Sequence, residues 1–416
     1  MVEIDPAVCI PAALQAQAGV ARVGIAVSGG GDSLAALVLA VEALGAGAVS
    51  AVTVDHGLRA SSDEEARAVG RICVDLGVDH TILPWQGDKS GNLQDAAREA
   101  RLRLIGAWAQ GRVDAVIVAH TRDDQAETLL MRLARGSGVD GLSGMAAARW
   151  HGDVLWLRPF LTVSREALRV VLRVRGITWI DDPSNHDPRF QRVRARQALA
   201  ALAPLGLDAA GLAETATRMG RARQALEAQA QAAMEAQVSE DRGTVVIAKA
   251  ALALQPEIRD RLFAHLLMAL SGSPYRPRLN ALLRLIADHG ARMGCVLADE
   301  GAALRLFREA QAVGDLTAPV TQTWDGRWTA TGPDGSPTAE IRAMGAKGLA
   351  QLSQQAKSGQ HPHWRDTGLA QPVLQGLPGI WENDRLIAAP LALWPQKWQL
   401  SARPVAAMGK GLTLSH

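Results

Sequence analysis

The chain has 416 residues, a formal net charge of only +2 and a hydrophobic fraction of 48%. That length is too great for one ordinary core, so two or three domains are expected. The small net charge excludes a protein that binds nucleic acid through gross charge alone. No apolar run is long enough to span a membrane, which excludes an integral membrane helix.

The cysteines and the N-terminus bear on the cellular compartment. Cys9, Cys73 and Cys295 lie far apart and form neither a disulfide framework nor a CxxC metal site. The first residues are acidic and lack the basic start of a secretory signal. The sequence therefore predicts a cytoplasmic protein without membrane association.

The first predicted strand and helix enclose the most distinctive segment of the chain. An apolar run at residues 23–27 leads into Ser28, Gly29, Gly30, Gly31, Asp32 and Ser33. Apolar residues then recur at helical spacing from Leu34, which predicts a strand, a glycine turn and a helix. Glycines let the backbone approach a ligand, and amides at a helix N-terminus favour an anion such as phosphate. The alternative is a glycine turn that binds nothing.

The residue types of this loop separate the known classes of phosphate-binding loop. Asp32 stands where a Walker A loop has its lysine. Leu34 replaces the third glycine of a dinucleotide loop, although Asp55 lies at a suitable distance for a ribose contact. The remaining pattern, Ser-Gly-Gly-x-Asp-Ser, resembles the pyrophosphate loop (PP-loop) of ATP pyrophosphatases, which transfer AMP. Such a loop would grip the leaving pyrophosphate and expose the α-phosphate to attack.

Strands and helices alternate along the following residues. Further strands are predicted at residues 49–54, 81–83, 115–119 and 154–157. Further helices are predicted at about residues 62–76, 92–108, 123–136 and 165–176, the last one capped by Ser164. Repeated βα units predict a doubly wound parallel sheet with both faces covered.

Polar residues follow three of these strands, at the sheet edge where such folds bind ligands. The first strand ends in the glycine loop, and the second ends in Val54, Asp55 and His56. The fourth ends at His120, which could contact a phosphate or a base. Agreement among three separate segments favours a functional site at this edge.

Carboxylates begin the helix that follows His120. Asp124 and Glu127 project onto one helix face, where beside ATP they could hold Mg²⁺ or receive an ammonium group. Asp123 is expected only to cap the helix, because a carboxylate in the first turn stabilises the helix dipole. Glu127 lies past the capping positions, which favours a functional role.

Arginine-containing segments come next, in a chain where arginine greatly outnumbers lysine. A glycine-rich loop at residues 135–142 begins at Arg135 and either closes over substrate or is a plain connection. Four arginines then cluster at near-helical spacing: Arg189, Arg192, Arg194 and Arg196. They predict either a helix against nucleic-acid phosphates or a solvated helix face, since GC-rich genomes also favour arginine.

Taken in order, these motifs resemble those of the tRNA(Ile)-lysidine synthase family. The resemblance rests on residues 28–33, 54–59, 91–93, 97–98, 101, 120–128, 135–142, 158–161 and 182–185. It covers roughly residues 20–200, is faint from about 250 to 310, and is fainter beyond. One departure is Leu102, where the family pattern has an aromatic residue.

The resemblance implies an activity, substrates and a cofactor. In this family ATP adenylates the C2 carbonyl of cytidine 34 in an isoleucine tRNA with a CAU anticodon. The ε-amine of free L-lysine then displaces AMP and makes lysidine. ATP and Mg²⁺ are the implied cofactors, that tRNA and lysine are the implied partners, and a homodimer is compatible with the family.

The resemblance also implies roles for individual residues. ATP would contact Ser28, Gly29, Gly30, Gly31, Asp32, Ser33, Val54, Asp55 and His56. The catalytic set would be Asp32, Arg98, His120, Asp124, Glu127 and Arg135. The tRNA would contact Arg189, Arg192, Arg194 and Arg196.

Within the catalytic set, chemistry suggests what each group does. Asp32 would ligate Mg²⁺ or act as a base, and the sequence leaves both open. Asp124 and Glu127 would hold or deprotonate lysine, because an ammonium must lose a proton before it attacks. Arg98 and Arg135 would stabilise developing phosphate charge.

The rest of the chain predicts two more domains. Helices are predicted at residues 205–245, 256–270 and 279–287, and hairpins around residues 299–301 and 324–328. The predicted architecture is an N-terminal doubly wound parallel-sheet PP-loop ATPase domain of Rossmann-like α/β type at residues 1–204. A mainly helical α+β, tRNA-binding domain at 205–311 and a β-rich domain for tRNA acceptor recognition at 312–416 follow.

Three other functions compete with this interpretation. A tRNA cytidine 2-thiolase would use CxxC pairs that hold an iron–sulfur cluster, and the three isolated cysteines argue against it. A ligase such as a GMP synthetase would bring an ammonia-generating domain, and none is evident. A non-catalytic nucleotide sensor explains the glycine loop but leaves Asp124, Glu127 and the large C-terminal half unexplained.

Overall fold

The computed structural model describes residues 3–57, 62–85, 93–181, 187–333, 338–359 and 361–405. Two segments that carry the family resemblance lie partly outside these ranges, at residues 58–59 and 91–92, and the segment at 182–185 lies wholly outside them. The chain divides into two compact units, Met1–Arg223 and Gln224–His416. The division into three domains with boundaries at residues 204 and 311 stays a prediction.

A six-stranded sheet forms the centre of the first unit. Its strands are β1 (Val23–Ala26), β2 (Val49–Asp55), β3 (Asp79–Pro84), β4 (Ala115–Ile117), β5 (Ala148–His151) and β6 (Val154–Leu157). Their order is β3-β2-β1-β4-β6-β5, with every neighbouring pair parallel except β5 and β6. Apolar side chains such as Ile25, Ile117 and Leu157 are fully buried, as a parallel sheet covered on both faces requires.

Helices connect these strands. They are α1 (Cys9–Gln15), α2 (Gly31–Leu44), α3 (Ser62–Asp75), α4 (Leu93–Ala109), α5 (Arg122–Leu133), α6 (Val139–Leu142), α7 (Arg165–Val174) and α8 (Gln191–Leu202). The prediction that Ser164 caps α7 is confirmed, since its side chain accepts from the Ala167 amide at 3.1 Å. A long helix, α9 (Ala209–Gln237), follows and runs past the boundary between the two units.

The strand order determines where a ligand would bind. The chain leaves β1 for β2 on one side, whereas β4 pairs with the other side of β1 through Val23–Ala115 and Ile25–Ile117. Loops that leave the carboxyl ends of β1 and β4 therefore diverge and open a crevice between them. The glycine loop and His120 lie at this switch point.

Antiparallel sheets dominate the second unit. Its strands are β7 (Val238–Asp241), β8 (Thr244–Ala248), β9 (Gly290–Arg292), β10 (Cys295–Asp299), β11 (Ala303–Arg308), β12 (Thr317–Pro319), β13 (Trp328–Thr331), β14 (Ala339–Ala343), β15 (Pro378–Glu382), β16 (Arg385–Ala388) and β17 (Gln399–Ala402). They form the sheets β7-β8-β11-β10-β9, β12-β14-β15-β16 and β13-β17. The helices are α10 (Pro256–Ser271), α11 (Leu279–Asp288), α12 (Ala310–Val313), α13 (Gly345–Lys357) and α14 (Gln371–Gly376).

The predicted architecture is confirmed, with a parallel-sheet α/β domain, a helical middle and β-rich C-terminal sheets. Two local predictions differ from the structure, and one strand was missed. The helix predicted at 205–245 ends at Gln237, because the β-branched residues after it form the β7–β8 hairpin around Arg242 and Gly243. Strand β5 was not predicted. The Trp324–Trp328 turn is closed by a single bridge, and β13 pairs with β17 rather than with a preceding strand.

None of the helices in the described ranges combines the length and apolar character that a membrane crossing requires.

Candidate active site

The glycine loop after β1 is held in shape by its own side chains and by a distant segment. The Ser33 hydroxyl accepts from the Ser28 amide at 3.1 Å and donates to the Gly30 carbonyl at 2.9 Å. Gly29 has φ +84°, a left-handed conformation that favours glycine, and its carbonyl accepts from the Ile180 amide at 3.0 Å. The loop is therefore a fixed turn that delivers the chain into the N-terminus of α2.

Asp32 lies in the first turn of α2, at the end of this loop. Its Oδ2 accepts from Arg165 Nε at 3.2 Å. Burial raises the pKa of Asp32 to about 6, with the Asp124 charge adding to the rise while Arg165 opposes it. A carboxylate with such a pKa is poorly compensated by the protein, which is common at functional sites.

The N-terminus of α5 places two carboxylates, Asp123 and Asp124, differently from the expectation. Thr121 is the N-cap, and Asp124 Oδ2 accepts from both the amide and the hydroxyl of Thr121 at 2.8 Å. Asp124, rather than Asp123, thus completes the capping box, because the helix begins one residue earlier than predicted. Asp123 Oδ2 instead accepts from the Arg165 amide at 2.8 Å, at the start of α7.

Glu127 lies one turn further along α5 and is only 1% exposed. Its Oε1 accepts from Arg196 Nε at 2.9 Å and lies 3.5 Å from Arg165. Its Oε2 is buried and has no hydrogen-bond partner among the described residues. This oxygen is an open acceptor inside the site.

Arg165 joins the loop to these carboxylates, and sequence reasoning missed it. Its Nη2 donates to Asp124 Oδ1 at 3.1 Å, in addition to the Nε contact with Asp32. Burial acts to lower the pKa of Arg165, but Asp124, Glu127 and Asp32 outweigh it and raise that pKa. The sequence did contain one signal for Arg165. A cation in the first turn of a helix opposes the helix dipole, so its presence at the start of α7 indicates another role.

His120 follows β4 and is a neutral imidazole at neutral pH. Burial lowers its pKa to about 3; Asp124 opposes this shift, while the charges of Arg158, Arg192 and Arg98 add to it. Its Nδ1 is buried without a hydrogen-bond partner among the described residues. His120 can therefore donate or accept a hydrogen bond in the crevice but does not supply a positive charge.

The end of β2 contributes Val54, Asp55 and His56 to the same sheet edge. His56 Nε2 accepts from Arg101 Nη2 at 3.1 Å, and the ring packs edge-on against Trp85 at 5.8 Å. Burial and the Arg101 charge lower the pKa of His56. Asp55 Oδ1 accepts from the Gly57 amide at 2.9 Å, which fixes the turn that leaves the strand.

The predicted arginines fall into two groups. The charges of Arg98 and Arg192 act on His120, and Arg196 reaches Glu127, so these three lie close to the site. Arg135 donates to Gln191 at the start of α8.

The other two predicted arginines lie away from the carboxylates. Arg189 precedes α8, contrary to the predicted helical spacing, and pairs with Asp187. Arg194 donates to the carbonyls of Pro188 and Arg189. Neither Arg189 nor Arg194 contacts the carboxylates.

The glycine-rich loop that begins at Arg135 is tied back onto α5. The Gln125 side chain accepts a hydrogen bond from the Met145 amide at 2.6 Å and donates one to the Met145 carbonyl at 3.0 Å. Arg132 Nη1 donates to the carbonyls of Gly141 at 2.8 Å and Gly144 at 3.2 Å. These contacts favour a fixed connection over a mobile lid.

Side chains that could bind a metal ion are not grouped together in the part of the chain that the structure describes. The described residues contain no cluster of three or more His, Cys, Asp or Glu side chains that could hold a metal ion. A cation at this site would therefore need oxygen ligands from a bound substrate as well as from Asp32.

Comparison with known proteins places this site in a family. Residues 10–203 match the model of the PP-loop domain. A tRNA(Ile)-lysidine synthase from Ruegeria pomeroyi is 44% identical over 390 residues, covering 91% of this chain and 90% of that protein. The tRNA(Ile)-lysidine synthase of Rhizobium meliloti is 37% identical, covering 78% and 76% of the two chains. That of Wolbachia pipientis is 31% identical, covering 89% and 88%. On these matches, the chain belongs to the tRNA(Ile)-lysidine synthase family.

Proposed function

We propose that the protein ligates L-lysine to C2 of cytidine 34 in the CAU anticodon of an isoleucine tRNA. The C2 oxygen attacks the α-phosphate of ATP and pyrophosphate leaves; the lysine amine then attacks C2, loses a proton and expels AMP. The observation that carries this proposal is the Arg165 contact, which joins Asp32 of the nucleotide loop to Asp124 and Glu127. Nucleotide and amino acid would thus meet in one crevice.

For ATP, the loop supplies amides and a carboxylate. Backbone amides from Ser28 to Ser33 and the N-terminus of α2 would hold the pyrophosphate, and Val54, Asp55 and His56 would contact the rest of the nucleotide. Asp32 would share a Mg²⁺ ion with the phosphates, since Mg²⁺ commonly takes one or two carboxylates and completes its shell with phosphate oxygens and water. Bound Mg²⁺ would neutralise charge on the departing pyrophosphate.

For lysine, the open oxygen of Glu127 is the natural acceptor. An ε-ammonium has three donors and forms strong charge-assisted hydrogen bonds with carboxylates. Asp124 lies on the same helix face and would share this role. One of these carboxylates would also receive the proton that the amine must lose before attack.

The remaining predicted residues fit the nucleic-acid side of the reaction. Neutral His120 would hydrogen-bond the target base or a phosphate, and Arg98 and Arg135 would stabilise charge on the α-phosphate. Arg189, Arg192, Arg194 and Arg196 would contact tRNA phosphates.

The second unit offers surfaces that suit its proposed tRNA contacts. Exposed Arg278, Arg284 and Arg292 surround a cavity of about 430 Å³ at the start of α11. In the proposed acceptor-recognition region, exposed Arg365 lies 4.4 Å from the ring centre of Trp364, which is itself buried in the core of the unit. Exposed arginines of this kind suit contacts with RNA phosphates.

Location and assembly belong to the same proposal. The buried, free thiols of Cys9, Cys73 and Cys295 suit a reducing cytoplasm. The homodimer rests on the family resemblance alone.

Nucleoside analysis tests the proposed function. Unmodified tRNA(Ile) transcript with a CAU anticodon is incubated with the protein, ATP, Mg²⁺ and lysine, then digested and analysed by mass spectrometry. Lysidine is expected only in the complete mixture, with matched reactions lacking lysine or ATP as controls. A folded protein that forms no lysidine contradicts the proposal, and sulfur incorporation at the same base would instead indicate a thiolase.

A further inference from the structure

Helix α8 contacts both carboxylates of the proposed lysine site. Arg196 Nε lies 2.9 Å from Glu127 Oε1, and Arg192 Nη1 lies 3.7 Å from Asp124 Oδ1. These are also two of the arginines proposed to bind tRNA phosphates. Because a guanidinium tied to a buried carboxylate is not free to face a phosphate outside, the two sets of contacts compete.

The charges of this cluster are balanced before lysine arrives. Three carboxylates, Asp32, Asp124 and Glu127, face three guanidiniums, Arg165, Arg192 and Arg196. Entry of an ammonium would leave one positive charge uncompensated beside a carboxylate that is 1% exposed. An uncompensated buried charge is costly, so release of one guanidinium would favour lysine binding.

Exposure indicates which guanidinium leaves. The Arg165 side chain is 17% exposed and contacts all three carboxylates. The side chains of Arg192 and Arg196 are 40% and 42% exposed, and the described residues offer each of them a single carboxylate contact. The arginines of α8 are therefore the ones that can turn outward.

We propose that α8 couples tRNA binding to lysine binding, an inference that rests on the proposed function. In the tRNA-free protein, Arg196 and Arg192 occupy the carboxylates as stand-ins for the substrate ammonium. Phosphates of the bound tRNA draw these arginines outward, which leaves Glu127 and Asp124 with the negative charge that the lysine ammonium would balance. By linkage, lysine must raise the affinity for tRNA by the same factor.

Equilibrium dialysis of radiolabelled lysine against the full-length protein tests the coupling. ATP is omitted so that no product forms, and each measurement is made with and without saturating tRNA(Ile) transcript. The intact protein is expected to bind lysine about tenfold more tightly with tRNA, within the range usual for coupled sites. Arg196→Gln should bind lysine without tRNA as tightly as the intact protein does with it, and tRNA should add little.

Two further variants make the result specific. Arg192→Gln should act in the same direction but more weakly, because its contact is longer, and it provides a second test should Arg196→Gln fold poorly. Arg173→Gln removes an exposed arginine that pairs with Glu166 on α7 and should leave the tRNA effect unchanged.

Two results would overturn the coupling. One is equal lysine affinity with and without tRNA in a protein that nevertheless makes lysidine. The other is weaker lysine binding by Arg196→Gln under both conditions, which would mean that Arg196 only holds Glu127 in place. Failure to make lysidine at all would instead overturn the proposed function.

Discussion

Two arginine–carboxylate clusters, one in each unit, differ in how completely their charges are satisfied. In the second unit Arg305 donates to Glu300 at 2.7 Å, to Asp241 at 3.0 Å and to the Thr244 hydroxyl at 2.6 Å. Hydrogen bonds from Arg242 and Arg305 outweigh burial and hold the pKa of Asp241 below its usual value. Every charge in this cluster has a partner in the folded chain.

The cluster in the first unit is incomplete by comparison. The pKa of Asp32 is raised to about 6, and Glu127 Oε2 is buried without a hydrogen-bond partner among the described residues. A structural cluster gains nothing from such unsatisfied groups, since each of them destabilises the fold. The difference teaches that the closed cluster stabilises the protein, whereas the open one keeps a perturbed carboxylate and an unused acceptor for a substrate or cation that displaces some of its arginines.

Among the variants that test this difference between the two clusters, Asp32→Ala should have the largest effect. If Asp32 serves ATP and Mg²⁺, the variant should lose ATP–pyrophosphate exchange by at least about a hundredfold, because a metal ion supplies several kcal/mol of charge stabilisation. Circular dichroism should show an unchanged fold. Near-normal exchange in the folded variant would show that the open cluster does not serve the nucleotide.

Glu127→Gln tests the lysine side of the open cluster. Loss of a charge-assisted hydrogen bond costs about 1.5–3 kcal/mol, so KM for lysine should rise roughly ten- to a hundredfold, far more than KM for ATP. Steady-state titrations of lysine, ATP and Mg²⁺ decide the role. A shift in the ATP and Mg²⁺ dependence with an unchanged lysine KM would assign Glu127 to the metal instead.

Replacing both Arg192 and Arg196 by Ala tests the contact of α8 with tRNA. Each lost phosphate contact should reduce the slope of log affinity against log salt by roughly one unit, so a decrease of one to two is expected. ATP affinity serves as the internal control and should not change. An unaltered salt slope would mean that tRNA does not reach these side chains.

The smallest effects are on stability, and they should have opposite signs in the two clusters. Ionisation of Asp32 opposes folding, because its stabilising contribution is complete below pH about 3.8 and is lost as pH rises through about 6. Asp32→Asn should therefore raise the free energy of unfolding at pH 7.5 by on the order of 1–3 kcal/mol, a gain that shrinks toward pH 4.

The matched substitution in the closed cluster is Asp241→Asn. Its carboxylate has a lowered pKa, so it contributes stability above its unfolded-state pKa and loses that contribution as pH falls. The variant should be destabilised by about 0.5–1 kcal/mol at pH 7.5, because Arg305 loses a charged partner that is about one third exposed and therefore screened by solvent. Denaturant unfolding without ATP or Mg²⁺ measures both variants, and the same sign for both would remove the distinction between the clusters.

Much of this was accessible from the sequence because it depends on local pattern. Apolar runs and glycine turns predicted the parallel strands, and the polar residues after β1, β2 and β4 predicted the site edge. Arg165 was not predicted, because its role depends on α7 and α2 meeting in space. The Arg196–Glu127 pair was missed for the same reason. Strand β5 is short and only partly buried, so its residues carry no strong alternation.

The glycine loop owes its shape to a part of the chain that follows it at a great distance. The Gly29 carbonyl is held by the Ile180 amide, and Asp32 is held by Arg165, 133 residues further on. At the usual rate of synthesis, about 5–20 residues per second, the motif is synthesised roughly 7–30 seconds before these partners are. A nascent chain that carries the complete motif therefore still lacks two of the contacts that hold it in shape. These contacts can form only as synthesis of the first unit nears its end.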